Sequence, residues 1–395
     1  MVKVARPYSN AWATKAFRTK ASTIQVVSGV LTTLLVVRLW WYWSVHHTEN
    51  WILLASNSSL LTIKRTGMTN FEIDFPKFTP LEGREHILRI FHEAGVDLTP
   101  EMEEKLPTWE QVQEVVGPHP YILGLERCEE FRQRTPPLER MLGAAGMFNS
   151  GTNLVTHLLK QNCEIPERRK MMGPHQPTES YGMRWQVPWG KHTPASFRDL
   201  HATAKAGKMK INKNWILPIV TLRNPYTWFR STCKSPYTAR WNHRKDLSDC
   251  PSLKDEVTGK WNNVTVHYGA GDDEHQSLAH LWNDWYSYYL RKATFPWIAI
   301  RMEDLVFYPK ETIQTVCECA GGEIRKDRNF VFITHSAKAD SRGHDASTGL
   351  YEAWIKYSKP PEPKFGFSDT DFEAAKEALD PWLMTAFGYT HPPDN

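Results

Sequence analysis

Residues 141–160 read MLGAAGMFNSGTNLVTHLLK, and the fold turns on this stretch. MLGAA (141–145) is a short apolar run of strand length. The loop Gly146-Met147-Phe148-Asn149-Ser150-Gly151 interrupts it, and TNLVTHLLK (152–160) then places apolar residues at helical spacing. The same grammar returns downstream. WILPIVTL (215–222) is a β-rich apolar run ending in Arg223-Asn224-Pro225, HLWNDWYSYYLR (280–291) is an aromatic amphipathic helix, and PWIAIR (296–301) is another strand. Strands separated by helices predict an α/β fold with a parallel sheet covered on both faces.

Upstream of Pro136-Pro137 the pattern is different. Residues 50–137 mix short helical patterns with proline-bounded breaks. LEGREHILRIFHEA (81–94) repeats apolar residues at helical spacing, and 100–116 reads as a second, acidic helix. This region, 46–137, is expected to be a stem or accessory helical layer, with the α/β domain occupying 138–395. Internal repeats and low-complexity segments are absent from the sequence.

The N-terminus sets an address. Residues 1–23 carry Lys3, Arg6, Lys15, Arg18 and Lys20 and no acidic residue. Residues 24–45 are apolar and long enough to cross a bilayer of about 30 Å as a helix. Trp40, Trp41, Tyr42 and Trp43 gather at the far end as an interfacial belt, where Arg38 can snorkel. Positive charge before the span predicts a cytoplasmic tail at 1–23 and a lumenal or extracellular remainder. No small-x-small cleavage site ends the run, which favours a signal anchor over a cleaved signal peptide. Two glycosylation sequons, at Asn57 and Asn263, then face the permissive side.

Composition narrows the class. At 395 residues, with 41% hydrophobic and 23% charged residues, the chain has the make-up of a folded protein, not a disordered one. The net charge of +4 is spread along the chain, which suits an anionic ligand, and no basic-aromatic run points to nucleic acid. Seventeen tryptophans, many beside Pro, Tyr or Arg, suit stacking surfaces as well as core, and MRWQVPW (183–189), Trp241 and Trp261 are candidates for contact with a flat ligand face. The six cysteines have no C-x-x-C zinc spacing. Cys233 and Cys250 flank a polar loop and are the first candidates for a bridge in an oxidising compartment. Free buried thiols fit the spacing equally well.

Two segments carry chemistry on their own terms. A strand feeding a tight loop into a helix N-terminus converges backbone N–H groups on one point, an anion site reinforced by the helix dipole. Ser150 and Thr152 add hydroxyls there, and Gly151 permits close backbone approach. No Gly-Lys-Ser/Thr closes the loop, and no strand-end Asp for Mg²⁺ follows, which argues against a nucleotide kinase. In TLRNPYTWFRST (221–232), Arg223 stands at the carboxyl end of a strand, where open α/β sheets place ligands, and its guanidinium fork suits phosphate. A third segment, VPWGKHTP (187–194), offers Lys191 and His192; a neutral imidazole is a competent base near neutral pH.

In combination these segments resemble the PAPS-dependent sulfotransferase family, PAPS being 3′-phosphoadenosine 5′-phosphosulfate. The resemblance rests on the Ser150-Gly151-Thr152 loop, on Lys191-His192-Thr193-Pro194, and on Arg223-Asn224-Pro225 with Ser231 eight residues after the arginine. It also draws on Met302-Glu303-Asp304-Leu305 with Tyr308-Pro309, and on the ending DPWLMTAFGYT (380–390). It runs over about 138–389. It implies a P-loop-like parallel sheet flanked by helices, behind an N-terminal transmembrane helix and a helical stem. It further implies a type II Golgi membrane protein with a lumenal catalytic domain.

By that resemblance Asn149, Ser150, Gly151, Thr152 and Asn153 hold the 5′-phosphosulfate. Arg223 and Ser231 hold the 3′-phosphate, joined by Arg342 and Gly343 from a late loop. His192 removes the acceptor proton, and Lys191 neutralises charge on the transferred group or its bridging oxygen. PAPS is the co-substrate and no metal is required. The acceptor is a small molecule, glycan or protein hydroxyl or amine. Two positions depart from the family pattern: Asn149 stands where Lys or Arg is usual, and Leu154 where an aromatic often stacks on adenine. Lys191, Lys213 or Arg184 are candidates to supply the missing charge. The alternative readings are a catalytically impaired nucleotide-binding membrane protein and, behind it, a P-loop kinase.

Overall fold

The computed structural model describes residues 82–199, 211–242, 250–268, 271–335, 337 and 349–394, together with the backbone of five short strands at 51–56, 59–66, 70–74, 205–206 and 209–210. The expected tail (1–23) and transmembrane helix (24–45), Asn57, Arg342 and Gly343 lie outside the described residues. Among the described residues no helix is long and apolar enough to cross a membrane.

The chain divides into two units, Met1–Thr79 and Pro80–Asn395. In the first, β1 (Trp51–Ser56), β2 (Ser59–Thr66) and β3 (Asn70–Asp74) form an antiparallel meander. This corrects the expectation of a helical stem here. Ile52, Thr62, Ile63, Thr66 and Ile73 are β-branched and favour extended backbone.

The second unit is mixed α/β. Its five-stranded sheet has the order β4 (Ile122–Leu123), β14 (Ile298–Arg301), β10 (Ile216–Leu222), β5 (Met141–Gly146) and β7 (Met183–Arg184). The last four are parallel and β4 is antiparallel at the edge. Every residue of β5, β10 and β14 is buried, as a sheet covered on both faces requires. Alternation sorts them: Leu217 and Ile219 join one core with helices Thr152–Asn162 and Pro309–Cys319. Val220 and Leu222 join the other, with helices Leu278–Leu290, Asp369–Ala378 and Pro381–Ala386.

Residues 82–137 belong to this same unit. They contribute β4 to the sheet, and helices Glu85–Glu93 and Trp109–Val116 to a third core that includes Phe307 and Trp354. The expected helix over 100–116 is two, Pro100–Lys105 and Trp109–Val116. Pro107 holds Leu106 extended at ψ 145°, and Thr108 starts the second helix with a capping box to Gln111.

All six cysteines are bridged: Cys128–Cys319, Cys163–Cys317 and Cys233–Cys250. The third is the pair favoured from the sequence, and the free-thiol alternative is excluded. The first two fasten helix Pro309–Cys319 to helix Cys128–Arg134 and to the end of helix Thr152–Asn162, beside the small ladder of β6 (Cys163–Glu164) with β15 (Glu323–Ile324). Small antiparallel ladders complete the strands: β8 (Lys205–Ala206) with β9 (Met209–Lys210), and β11 (Ala239–Arg240), β12 (Val264–His267) and β13 (Asp272–His275).

The sheet register is what builds a site. Gly146 lies opposite Thr221, and Leu222 opposite Arg301, so three parallel strands end together. The Gly146–Gly151 loop, Arg223 and Met302 therefore emerge at one edge.

Candidate functional site

The loop after β5 is shaped by three tight positions. A side chain on Gly146 would come within 2.1 Å of Thr221 Oγ1 and 2.6 Å of Ser150 Oγ, so only glycine fits. Asn149 (φ 62°) and Gly151 (φ 88°) both take left-handed backbone, and a Cβ on Gly151 would lie 2.6 Å from Met302 Cγ. Helix Thr152–Asn162 starts there with no side-chain cap, which leaves its first-turn N–H groups to whatever enters the cavity beside it.

That cavity has a volume of about 560 Å³ and collects most of the residues singled out in the sequence. Asn149, Gly151, Thr152 and Asn153 line it from the loop and helix. Lys191, His192, Arg223 and Ser231 line it from three other segments. Residues 149 and 223 are in direct contact, because Arg223 Nη1 donates to the Asn149 carbonyl at 2.7 Å.

Ser150 behaves otherwise. Its side chain is fully buried; Oγ lies 2.8 Å from the Met147 carbonyl and 2.9 Å from Thr221 Oγ1. The hydroxyl expected on a phosphate instead ties the loop to β10. Asn149 likewise spends its amide on backbone: Nδ2 donates to the carbonyls of Ser235 (3.0 Å) and Ser231 (3.4 Å), capping helix Pro225–Lys234 at its C-terminus. Of the three cations considered in its place, Lys191 lies in the cavity wall. Lys213 is paired with Asp199 at 2.5 Å, and neither it nor Arg184 lines the cavity.

Lys191 and His192 run beside the end of β5. Gly146 N donates to the Lys191 carbonyl at 2.7 Å, and His192 Nδ1 lies 2.9 Å from the Gly146 carbonyl. A carbonyl only accepts, so that bond puts the proton on Nδ1 and, in the neutral ring, the lone pair on Nε2. Phe148 packs at 4.6 Å against the imidazole. Lys191 Nζ donates to Asn153 Oδ1 at 2.5 Å and lies 4.1 Å from the centre of the Trp185 ring.

Arg223 is only 5% exposed. It has five N–H groups, and three are used: Nε on Thr227 Oγ1 (3.1 Å), Nη1 on Asn149 O, Nη2 on Tyr357 Oη (3.1 Å). One N–H remains on each terminal nitrogen, and no carboxylate lies within 4.0 Å among the described residues. Burying a guanidinium without a directly paired carboxylate is costly, and an anion in the cavity lowers the cost. The Ser231 hydroxyl, in the same wall, makes no hydrogen bond among the described residues. Those residues also hold no cluster of three metal-ligating side chains.

Several wall residues were missed by the sequence reading. Tyr357 and Lys356 arrive on helix Leu350–Tyr357, and Lys234 and Tyr237 close the opposite side. Leu158, Leu305 and Phe332 give the far end an apolar lining. Apart from Leu305, which closes the Met302-Glu303-Asp304-Leu305 segment, none sits in a motif. A further group supports the site from beneath. Trp282 Nε1 donates to the Arg223 carbonyl (3.2 Å), Tyr286 Oη to that of Thr221 (3.1 Å), Trp285 Nε1 to that of His192 (2.9 Å), and Trp228 Nε1 to that of Phe148 (2.7 Å). Three of these donors, Trp282, Trp285 and Tyr286, come from helix Leu278–Leu290, and their rings are fully buried. Trp228, Trp282 and Trp285 thus serve as core that also fixes the backbone of the site. No family model matches the chain, and neither a characterised protein nor a solved structure matches it.

Proposed function

We propose that the protein is a sulfotransferase, moving a sulfuryl group from PAPS to an acceptor hydroxyl or amine. The observation that carries this reading is Arg223: a buried guanidinium with two unspent N–H groups and, among the described residues, no carboxylate within ion-pair distance, in one cavity with a helix-leading loop and a Lys-His pair. The fold in this reading is P-loop-like. The first-turn N–H groups of helix Thr152–Asn162, with Thr152, take the 5′-phosphosulfate; Arg223 and Ser231 take the 3′-phosphate. The apolar end near Leu158 and Phe332 suits the adenine, in place of an aromatic at Leu154.

The acceptor oxygen or nitrogen attacks sulfur while His192 Nε2 takes its proton. The new bond forms to sulfur and the sulfur–oxygen bond to the 5′-phosphate breaks. Adenosine 3′,5′-bisphosphate leaves, and Lys191 stabilises the charge that gathers on its oxygen. Lys191 fills the electrostatic role of the family's loop cation, because the Asn149 amide is committed to carbonyls. The address belongs to the same proposal: a type II anchor at 24–45 and a lumenal Golgi domain. Three disulfides support an oxidising compartment.

The test is labelled PAPS with the purified full-length chain and a broad acceptor panel, read as products gaining a sulfate mass. Failure of the chain to bind adenosine 3′,5′-bisphosphate would sink the reading. Binding without transfer to any acceptor would favour a nucleotide-binding protein without catalysis, the reading that the engaged amide of Asn149 favours.

A further inference from the structure

A second cavity, of about 410 Å³, shares the wall of Arg223, Ser231, Lys234, Lys356 and Tyr357 with the first. It is bounded beyond that wall by Arg230, Lys359 and Glu362 on one side and by Arg301, Glu303 and Tyr389 on the other. Its charge is lopsided. Arg301 is neutralised by Asp304 at 2.7 Å, and Arg230 reaches Glu362 only at 4.0 Å. Lys234, Lys356, Lys359 and Arg223 have no carboxylate within 4.0 Å among the described residues. The one acid at the buried end, Glu303, is held between Tyr389 Oη (3.1 Å) and Asn224 N (3.4 Å). Burial pushes its pKa up, against the pull of Arg301 and Arg223, which weakens its repulsion of an anion.

Apolar faces complete the enclosure. Tyr357, Phe365, Tyr389 and Pro361 line it, and the Arg230 guanidinium lies 4.4 Å from the centre of the Phe365 ring. Cations converging from helices Pro225–Lys234 and Leu350–Tyr357 and from the 359–362 segment fit a dianionic head, and the rings fit a flat body. The volume falls within the range of small-molecule sites, roughly 300–1,000 Å³. We propose that this cavity is a second, separate anion site, one that binds a phosphate monoester with a flat apolar or aromatic body. Arg223 and Ser231 lie in the common wall and belong to the first ligand in the reading above; the cations that line the second cavity alone and, among the described residues, lack a close carboxylate are Arg230 and Lys359.

The probe is 4-nitrophenyl phosphate, titrated calorimetrically into the full-length protein. Arg230→Gln with Lys359→Gln, both at exposed positions, should weaken binding about tenfold or more, because two charge-assisted contacts are lost. Lys191→Gln, in the first cavity only, should leave the affinity within about twofold, since it lies outside the second wall. Equal melting temperatures for the variants and the parent check that the fold is intact. The proposal is overturned if the parent shows no binding at millimolar probe. It is equally overturned if affinity follows Lys191 and ignores Arg230 and Lys359.

Discussion

Replacing Arg223 by alanine separates its two roles. In the free protein the guanidinium makes three hydrogen bonds, to Asn149 O, Thr227 Oγ1 and Tyr357 Oη. At about 0.5–1.5 kcal/mol net for each, and with the orphaned groups open to cavity water, Arg223→Ala should cost roughly 1.5–4.5 kcal/mol of stability. The cost in binding is larger. Truncating one partner of a desolvated charge pair typically removes about 2–5 kcal/mol, which corresponds to roughly 30-fold to a few thousand-fold in affinity for adenosine 3′,5′-bisphosphate. Equilibrium binding is then repeated with adenosine 5′-monophosphate, which lacks the 3′-phosphate. If the guanidinium grips that phosphate, the parent discriminates strongly between the two nucleotides and Arg223→Ala hardly at all, because removing either partner already removes the interaction. Equal weakening of both nucleotides would refute the assignment. It would mean that Arg223 acts through the loop backbone at Asn149.

His192→Ala should lower the transfer rate about 100-fold or more and leave bisphosphate affinity near that of the parent, a split measured by single-turnover kinetics beside calorimetry. Glu303→Gln reports on a carboxyl whose pKa burial raises in the fold. Such a group's stabilising contribution is fully present below its unfolded pKa and is lost as pH rises through the folded one. The variant's melting temperature relative to the parent should therefore climb as pH rises from about 4.5, the ordinary glutamate value; a flat difference would contradict it. Removing the Cys163–Cys317 bridge as a double serine variant should cost about 2–4 kcal/mol in urea denaturation, since the closed loop spans 154 residues. Trp282→Phe keeps the ring but loses the donor to the Arg223 carbonyl. It should destabilise by about 1–2 kcal/mol, with loss of bisphosphate affinity if the strand end shifts.

The strand-loop-helix unit at 141–162 and the strand ending at Arg223 were legible because the signals are local. Apolar runs, the glycines of the loop and Asn224-Pro225 act on their immediate neighbours. The meander at 51–74 was not legible, because strand pairing is set by partners many residues away and its apolar spacing also suits a helix. The cysteines pose the same difficulty. Six allow fifteen pairings, and the flanking polar loop favoured only Cys233–Cys250; Cys128 and Cys163 meet their partners 191 and 154 residues on.

The sequence by itself determined the order of the central strands β5, β10 and β14 and of the helices Thr152–Asn162 and Leu278–Leu290 between them, and hence which loops end up at the carboxyl edge of a parallel sheet. Periodicity and turn chemistry suffice for that. Only the tertiary structure decided where side chains point and what closes the cavity. Ser150 turns inward to Thr221, Asn149 caps a neighbouring helix, and Tyr357 reaches Arg223 across 134 positions of chain. Such contacts depend on packing between distant segments, which spacing along one strand or helix does not encode.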